Sequence, residues 1–573
     1  MARANDEAAA LIQELADLLS ITGGDAFKIR AYEKAARAIA GYPDDIADLD
    51  LAGLRAIPAV GDAIAKKVLD YTTTGTIRQV EELRAQIPAG VRALTEIPTL
   101  GPKKALAVYE ELGVSSVDEL AAAIEEGRLR GLKGFGAKTE ENILRGIELL
   151  RSSGERVLVD AAAGVADEVV AALSELPQVE RCARAGSLRR MRETIGDVDV
   201  LAASRDPRPI MAAFTALPFV AEVIASGEKK TSIRTAKGLQ VDLRVVPPES
   251  WGAALQYFTG SQAHNIRTRE IAVKAGLKLS EYGLFDAGTD ELIVSETEEE
   301  VYERLGLPWI HPALREDTGE IEAALNDELP RLVTAGDLRG DLHSHTDLTD
   351  GIASLADMVS AAHARGLEYY AITDHAPNLV MQRMTDEKML AQRAEVAELQ
   401  KRYDDLVLLH GTELNIDPDG GVDWDADFLS GFDVCVASIH SHFTQDQAAM
   451  TRRLVRACEN PHVHVIGHPT ARSIGRRPPV DADWDEVFRA AARTGTAMEI
   501  DSFPDRLDLP ADLIRRAKRF GVKFSVDTDA HSLAHHRNIR YGIGTAQRGW
   551  LTPDDVINTW PLPRLREFLQ KKP

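Results

Sequence analysis

Gly186-Ser187-Leu188-Arg189-Arg190, followed by Gly196-Asp197-Val198-Asp199-Val200, is the stretch on which the reading of this chain turns. A Gly-Ser turn that opens a helix aims its backbone amides at an anion, and Arg190 adds a guanidinium. The pair can hold a triphosphate tail. Asp197 and Asp199, at i and i+2 on a strand, face one side of it. They can share a pair of divalent cations if a neighbouring strand supplies a third carboxylate. Leu239-Gln240-Val241-Asp242-Leu243 offers Asp242. An isolated Asp-x-Asp carries little weight, because surface strands often bear such pairs. With Gly-Ser upstream and a third strand aspartate downstream it becomes specific.

Upstream, residues 1–150 read as short helices broken by glycine turns, with Leu11, Leu15, Leu18 and Leu19 at helical spacing. Three segments there share one form. They are Ile57-Pro58-Ala59-Val60-Gly61-Asp62-Ala63-Ile64, Ile97-Pro98-Thr99-Leu100-Gly101-Pro102-Lys103-Lys104, and Leu132-Lys133-Gly134-Phe135-Gly136-Ala137-Lys138. In each, a tight glycine turn precedes a helix whose first amides point outward, a form that suits a backbone phosphate. Any one copy could be an ordinary helix turn. Three copies read as helix-hairpin-helix DNA binding independent of base sequence, with Gly61, Lys66, Gly101, Lys103 and Gly136 as contact residues. The net charge of -23 excludes a broad basic field, so phosphates must be gripped by local devices of this kind.

Downstream the chemistry changes. Thirteen of the 15 histidines lie after residue 340. Short apolar strands (Tyr369–Ile372, Leu406–Leu409, Val434–Ala437, Val463–Ile466, Ala497–Ile500, Lys523–Val526) alternate with helices, and most end in His, Asp or Glu. A (β/α) barrel presents its site in that way. His343-Ser344-His345 reads as a strand that projects both imidazoles to one side. Nine ligands can be nominated: His343, His345, Asp350, His375, Glu413, His440, His468, Asp529 and His531. One strand-end histidine is more often a satisfied polar residue than a ligand, but nine in this order are more than one ion can use. Imidazole and carboxylate without thiolate suit two or three ions of Mn²⁺, Zn²⁺ or Fe²⁺. His442, His462, His464, His535 and His536 read as surface or supporting residues.

At 573 residues, 44% hydrophobic and 27% charged, the chain is a multidomain globular protein. Neither a bilayer-length apolar run nor a leader-like start is found, so a cytoplasmic protein, nucleoid-associated when engaged, is expected. Cys182, Cys435 and Cys458 lack metal-site spacing and read as buried thiols. Between 161 and 174 a helix is expected, then strands at 198–202 and 239–246. The expected units are 1–85 and 86–150 (helical), 151–250 (palm), 251–316 (nucleotide selection), 317–337 (linker with a short acidic helix) and 338–573 (barrel).

With these motifs in order, residues 1–316 resemble a family X DNA polymerase of the DNA polymerase beta type. The resemblance extends to Tyr257-Phe258-Thr259-Gly260-Ser261, to Asn265 and Arg269, and to Leu307-Pro308-Trp309 through Leu314-Arg315-Glu316. It implies an α/β nucleotidyltransferase palm with Asp197, Asp199 and Asp242 as catalytic ligands of two Mg²⁺ or Mn²⁺ ions. It also implies that Gly186, Ser187, Arg190, Gly196, Tyr257, Phe258, Gly260 and Asn265 bind the nucleotide and that Arg269 contacts the template. Gln240 departs from vertebrate relatives, which carry an arginine beside the third aspartate. The N-terminal segment resembles the family's lyase domain. Lys67 falls at the Schiff-base position, and Lys28 and Tyr32 at a 5′-phosphate grip, although a second hairpin lysine is replaced by Ala63. A lyase lysine needs a lowered pKa. The other reading of Lys67 is simple phosphate binding. A monovalent cation at the hairpins is a further expectation.

Residues 338–573 resemble the PHP domain (polymerase and histidinol phosphatase), which implies a distorted seven-stranded (β/α) barrel and metal-dependent phosphoester hydrolysis. Arg472 and Arg506 are candidates for orienting phosphate, and either could equally be a surface charge. Asp501, where the family often has Asn, receives no role. Taken together, the motifs imply a bacterial repair polymerase that fills gapped or nicked duplex DNA from deoxynucleoside triphosphates. Its barrel would supply 3′–5′ exonuclease or end-processing activity, including abasic-site incision, and a monomer is expected. Two alternatives remain open: a non-catalytic palm serving as scaffold for the nuclease, or a barrel that is a small-molecule phosphatase.

Overall fold

The structure, a computed structural model, describes residues 4–571 apart from 41, 43, 44, 96, 98, 99, 133, 154, 155, 380, 381 and 383. The N-terminal region is helical, opening with Ala4–Ile21 and Ala26–Ala40 and closing with Ala137–Ser153. The leucine stripe of its first helix works as its spacing predicts: Leu15 and Leu18 are buried, with Leu11 and Leu19 against them. Apolar contact is continuous from Ala8 to Ile147, so the two helical subdomains pack on each other.

The palm is a five-stranded sheet ordered Arg181–Arg184, Asp197–Ala203, Gln240–Val246, Lys230–Thr235, Val220–Ser226. The pair Asp197–Ala203 and Gln240–Val246 is parallel; its outer neighbours run antiparallel. Val159–Ser174, the expected helix begun two residues earlier, covers one face through Ala162, Ala166 and Val169. A small subdomain follows, with a three-stranded sheet (Leu277–Ser280, Gly283–Asp286, Leu292–Val294) and helices Trp251–Thr259 and Gln262–Lys274. The acidic helix of the connection is Glu320–Leu325. It is docked, since Ile321 and Ala324 join the core of Leu284 and Tyr302.

Seven parallel strands in sequence order make the C-terminal barrel: Gly340–Asp341, Tyr369–Ile372, Val407–Asn415, Val434–Ser438, Val465–Gly467, Ala497–Asp501 and Phe524–Asp527. First and last meet side chain to backbone. The Leu342 amide donates to the Asp527 carboxylate, the Thr528 amide donates to the Asp341 carboxylate, and beyond them Ser344 pairs with Ala530. Two expectations need correction. The strand predicted at 406–409 runs on to Asn415, carrying Glu413 within it, and His343 and His345 lie beyond a strand that ends at Asp341. Closure of the barrel, not strand pleat, orients those imidazoles. The barrel sits directly on the palm: Leu507 and Tyr541 complete the palm core, and Arg472 pairs with Glu193 at 2.6 Å. Among the described residues no helix is long and apolar enough to cross a membrane.

Candidate active sites

The palm centre is built by strand register. Asp199 lies directly opposite Asp242 on the parallel neighbour, and Asp197 projects to the same side one pleat away. Ligand atoms of the three carboxylates lie within 4.8 Å of one another. Burial, and then the charges of Asp197 and Asp242, push the Asp199 carboxyl up to about 7. Burial acts on Asp242 in the same direction, but hydrogen bonds from Lys230, Ser232 and Gln240 hold it below the usual carboxylate range. Lys230 Nζ is 2.5 Å from its Oδ2, and Gln240 Nε2 donates to its Oδ1 at 3.0 Å. The cation missing at position 240 thus comes from the adjacent strand, where Lys230 faces Arg244 across the ladder. Sequence reasoning missed Lys230, because only antiparallel pairing brings it near. Three converging carboxylates, with Asp199 elevated by burial and by its neighbours, fit a cation site whose occupant would relieve their repulsion.

Gly186 is required by its surroundings. Its φ is +58°, and a Cβ there would lie 2.1 Å from Asp199 Oδ2. The triphosphate-type turn therefore presses on the metal-type ligand. Ser187 follows in a single helical turn, Gly186–Arg189, and Gly196 immediately precedes the Asp197 strand. Arg190 reaches across to the small subdomain: one terminal nitrogen donates to the Thr259 carbonyl at 2.6 Å, and Nε to Glu316 at 3.1 Å. Gly260 lies beside it, where a Cβ would be 3.3 Å from the guanidinium. Tyr257 and Phe258 are paired edge-on, with Arg269 over the first ring and Arg244 over the second. Asn265 is buried, donating to the Tyr257 carbonyl at 2.7 Å and accepting from Gln256 at 3.0 Å. Its amide is engaged within the protein, whereas Arg269 is exposed.

At the hairpins, Gly61 and Gly101 cap the helices Asp62–Thr74 and Pro102–Leu112 in extended conformation, and Gly136 precedes Ala137–Ser153. A Cβ at any of the three would meet nothing within 4 Å. None of the three has positive φ either. Neither packing nor backbone conformation demands glycine there, so the bare helix starts are open to an external group. Lys66 is exposed and pairs with Asp62 at 2.9 Å, Lys67 is half-buried, and Lys28 is exposed. Tyr32 is packed into the helical core, apart from the exposed lysines. The Lys103 side chain lies outside the described residues.

In the barrel all nine nominated ligands converge. His345, Asp350, His375 and His531 form one cluster; His343, His345 and Asp529 a second; His375, Glu413 and His440 a third. His468 joins through Glu413, 3.0 Å from its Nε2. His345 and His375 each belong to two clusters, the arrangement of bridged ions. The Nε2 atoms of His343 and His345 face each other at 3.2 Å, while His345 Nδ1, His468 Nδ1 and Asp350 Oδ1 are buried without hydrogen-bond partners. Buried polar atoms are seldom left unpaired, and this donor set fits cations. Burial opposes charge throughout. Even so, Glu499, Asp529 and Glu413 raise His343 well above its ordinary pKa, and the surrounding imidazoles hold Glu413 well below its own.

Supporting residues escaped the sequence reading. Glu499 accepts from His343 Nδ1 at 2.6 Å and from the His468 amide, and Asn415 accepts from His440 Nδ1 at 2.7 Å. Such partners fix the tautomer and ring angle of ligand histidines. The carboxyl-end position of Glu499 was the available signal. Arg506 stands 3.6 Å from the buried Asp501, which gives that aspartate a partner, and close enough to Asp529 to add positive charge beside the centre. Arg472 does not face this centre, and its candidacy is corrected: it is bound to Glu193 and to the carbonyls of Arg506 and Leu507. His464 and His536 are buried, His462 and His535 are half-buried, and His442 is exposed.

Comparison with known proteins follows the same division. Residues 3–77 match a helix-hairpin-helix domain, 91–148 a SAM-like helix-hairpin-helix tandem, 254–316 a DNA polymerase beta thumb and 341–502 a PHP domain. The chain is 35% identical over 564 residues to the DNA polymerase/3′-5′ exonuclease PolX of Bacillus subtilis, covering 98% of both chains. It is 26% identical to DNA polymerase lambda of Rattus norvegicus over 51% of this chain and 53% of the relative. Over 40% of this chain it is 27% identical to a probable phosphatase of a Thermoanaerobacter strain, 94% of which is covered.

Proposed function

The chain belongs to the family X DNA polymerases that carry a PHP domain, and on that premise we propose how its two centres divide the work. The protein is a DNA polymerase with an associated 3′–5′ exonuclease. Asp197, Asp199 and Asp242 are the polymerase carboxylates and would hold two Mg²⁺ or Mn²⁺ ions. The barrel's nine residues would hold two or three ions of Mn²⁺, Zn²⁺ or Fe²⁺. Bound divalent cations supply Lewis acidity and make a hydroxyl or water nucleophilic near neutral pH. The amides of Gly186 and Ser187, with Arg190, seat the triphosphate. Tyr257 and Phe258 wall the sugar, Asn265 and Arg269 face the nascent pair and template, and Gly196 lets the Asp197 strand begin beside them.

In the barrel, Glu499 and Asn415 keep His343 and His440 in the tautomer whose Nε2 faces the cluster. Arg506 offsets the charge of a phosphodiester brought among carboxylates. Gapped or nicked duplex is the favoured substrate, held at the open glycine starts of the hairpins. Lyase chemistry at Lys67, 5′-phosphate binding by Lys28 and abasic-site incision extend the same repair role in the bacterial cytoplasm, by a monomer. The observation that carries this division is the coexistence of two complete ligand constellations, one carboxylate and one imidazole-rich, on separate sheets of one chain.

Primer extension and 3′ degradation on a gapped duplex with Mn²⁺ test it, comparing wild type with Asp197→Ala and His343→Ala. Loss of synthesis alone in the first and of degradation alone in the second is expected. Degradation without any extension by wild type would make the palm a scaffold. Hydrolysis of a small phosphomonoester alone would make the barrel a phosphatase.

A further inference from the structure

The palm's nucleotide segment is backed by the PHP barrel from Arg190 to Glu193. Beyond Arg190 the chain turns at Met191, whose φ is +55°. Helix Ile539–Arg548 of the barrel is pressed against this turn so closely that a Cβ on Gly544 would fall 2.5 Å from the Met191 side chain. Two residues later Glu193 is held by Arg472. Between these contacts Arg548 extends one terminal nitrogen that donates twice, to the Arg190 carbonyl at 3.0 Å and to Glu316 Oε1 at 2.8 Å. The same Glu316 oxygen accepts from Arg190 Nε.

Two guanidiniums therefore share one carboxylate oxygen. Burial would raise the pKa of Glu316, but Arg190 and Arg548 keep it below the ordinary range, so it stays ionised between them. With Arg192, which stands 3.8 Å from the other Glu316 oxygen, the four groups leave two net positive charges beside the proposed triphosphate seat. Without Arg548 one of those charges would go, Glu316 Oε1 would hold Arg190 undivided with only the more distant Arg192 on Oε2, and the Arg190 carbonyl would lose its donor.

We propose that Arg548, a residue of the nuclease barrel, is a positioning residue for the polymerase: by sharing Glu316 with Arg190 it keeps the triphosphate-binding guanidinium available and its loop in place. The inference rests on reading Arg190 as a triphosphate ligand. It makes the PHP domain part of the nucleotide site by a route independent of its metal centre.

Steady-state extension on gapped DNA, read as KM for the incoming nucleotide against kcat, tests it in full-length Arg548→Ala, Arg548→Lys and Arg190→Ala proteins. Their 3′–5′ degradation of single-stranded DNA is measured in parallel. Arg548→Ala is expected to raise KM about ten-fold with kcat within about two-fold, as for a lost charged hydrogen bond made in the ground state. Degradation should stay at the wild-type rate. Arg548→Lys should recover most of the loss, since one nitrogen makes both contacts. An unchanged KM in Arg548→Ala beside a raised KM in Arg190→Ala would overturn the role of Arg548 alone. An unchanged KM in Arg190→Ala would overturn the reading of the seat. Parallel loss of degradation in Arg548→Ala would mark Arg548 as a structural element of the barrel and overturn the positioning role.

Discussion

On the proposed reading, the two centres of this protein solve one problem, holding divalent cations beside phosphate, with opposite materials. The palm uses three carboxylates on two strands, with Asp197 exposed and Asp242 restrained by Lys230. The barrel brings together six imidazoles and three carboxylates, Glu413 within a strand and the others beyond strand ends, with His343 and His345 fully buried. An open carboxylate site can accept an incoming nucleotide together with its ion and release both on each cycle. A buried imidazole cage held by Glu499 and Asn415 is built to retain its ions. The difference lies in the outer partners. Lys230 competes with a cation for Asp242, whereas Glu499 prepares His343 to receive one.

The largest effects should come from breaking either centre outright. Asp197→Ala is expected to lower extension by about 10³-fold or more, and His343→Ala to lower degradation comparably, each sparing the other activity. Coupled loss in either variant would show that the centres are not independent.

Next in size is the ion cluster that ties the palm to the small subdomain. Glu298 binds Arg189, Arg315 and Trp309, and Arg315 is fully buried. Glu298→Ala leaves that guanidinium without its carboxylate and should cost about 3–5 kcal/mol in denaturant unfolding of the polymerase region. Although burial opposes its ionisation, Arg315 and Arg189 bring the Glu298 carboxyl down to about 2. A depressed pKa contributes stability that is complete above the ordinary value and lost as pH falls through the folded one. The wild type should therefore lose stability between about pH 4.5 and 2, and the variant should lack that component.

Glu499→Gln sharpens the contrast between retained and exchangeable ions. It should weaken Mn²⁺ binding at the barrel by about 10–100-fold in equilibrium titration, leaving the palm's affinity unchanged. Equal weakening at both centres would refute the assignment. The smallest effect is expected at the hairpins. Gly61→Ala clashes with nothing in the protein, yet should weaken binding to nicked duplex by about three-fold, since a methyl group intrudes where a phosphate approaches. Undiminished affinity would return that turn to a purely structural role.

The candidate ligands were legible because strand-end chemistry is local. An apolar run followed by His, Asp or Glu names a residue and its address together, and all nine barrel nominations converge. Asp242 could be paired with Asp197 and Asp199 for the same reason. Lys230, Asn415 and Arg548 were not legible, because each acts through a partner distant in sequence or on another strand, and none sits in a motif. Arg472 stays open in the sequence between orienting phosphate and a surface charge for a related reason: its nearness to a ligand segment cannot show that the barrel turns it toward the palm.

By itself the sequence determined which residues carry chemistry and in which order the domains come, since helix period, strand length and the residue at each strand end are properties of short segments. Only the tertiary structure decided how those residues are restrained: which cation guards Asp242, which carboxylate orients His343, and how closely the barrel backs Arg190. Restraint of that kind is a matter of contact between segments far apart in the chain. It follows from sheet register and barrel closure, which no local pattern encodes.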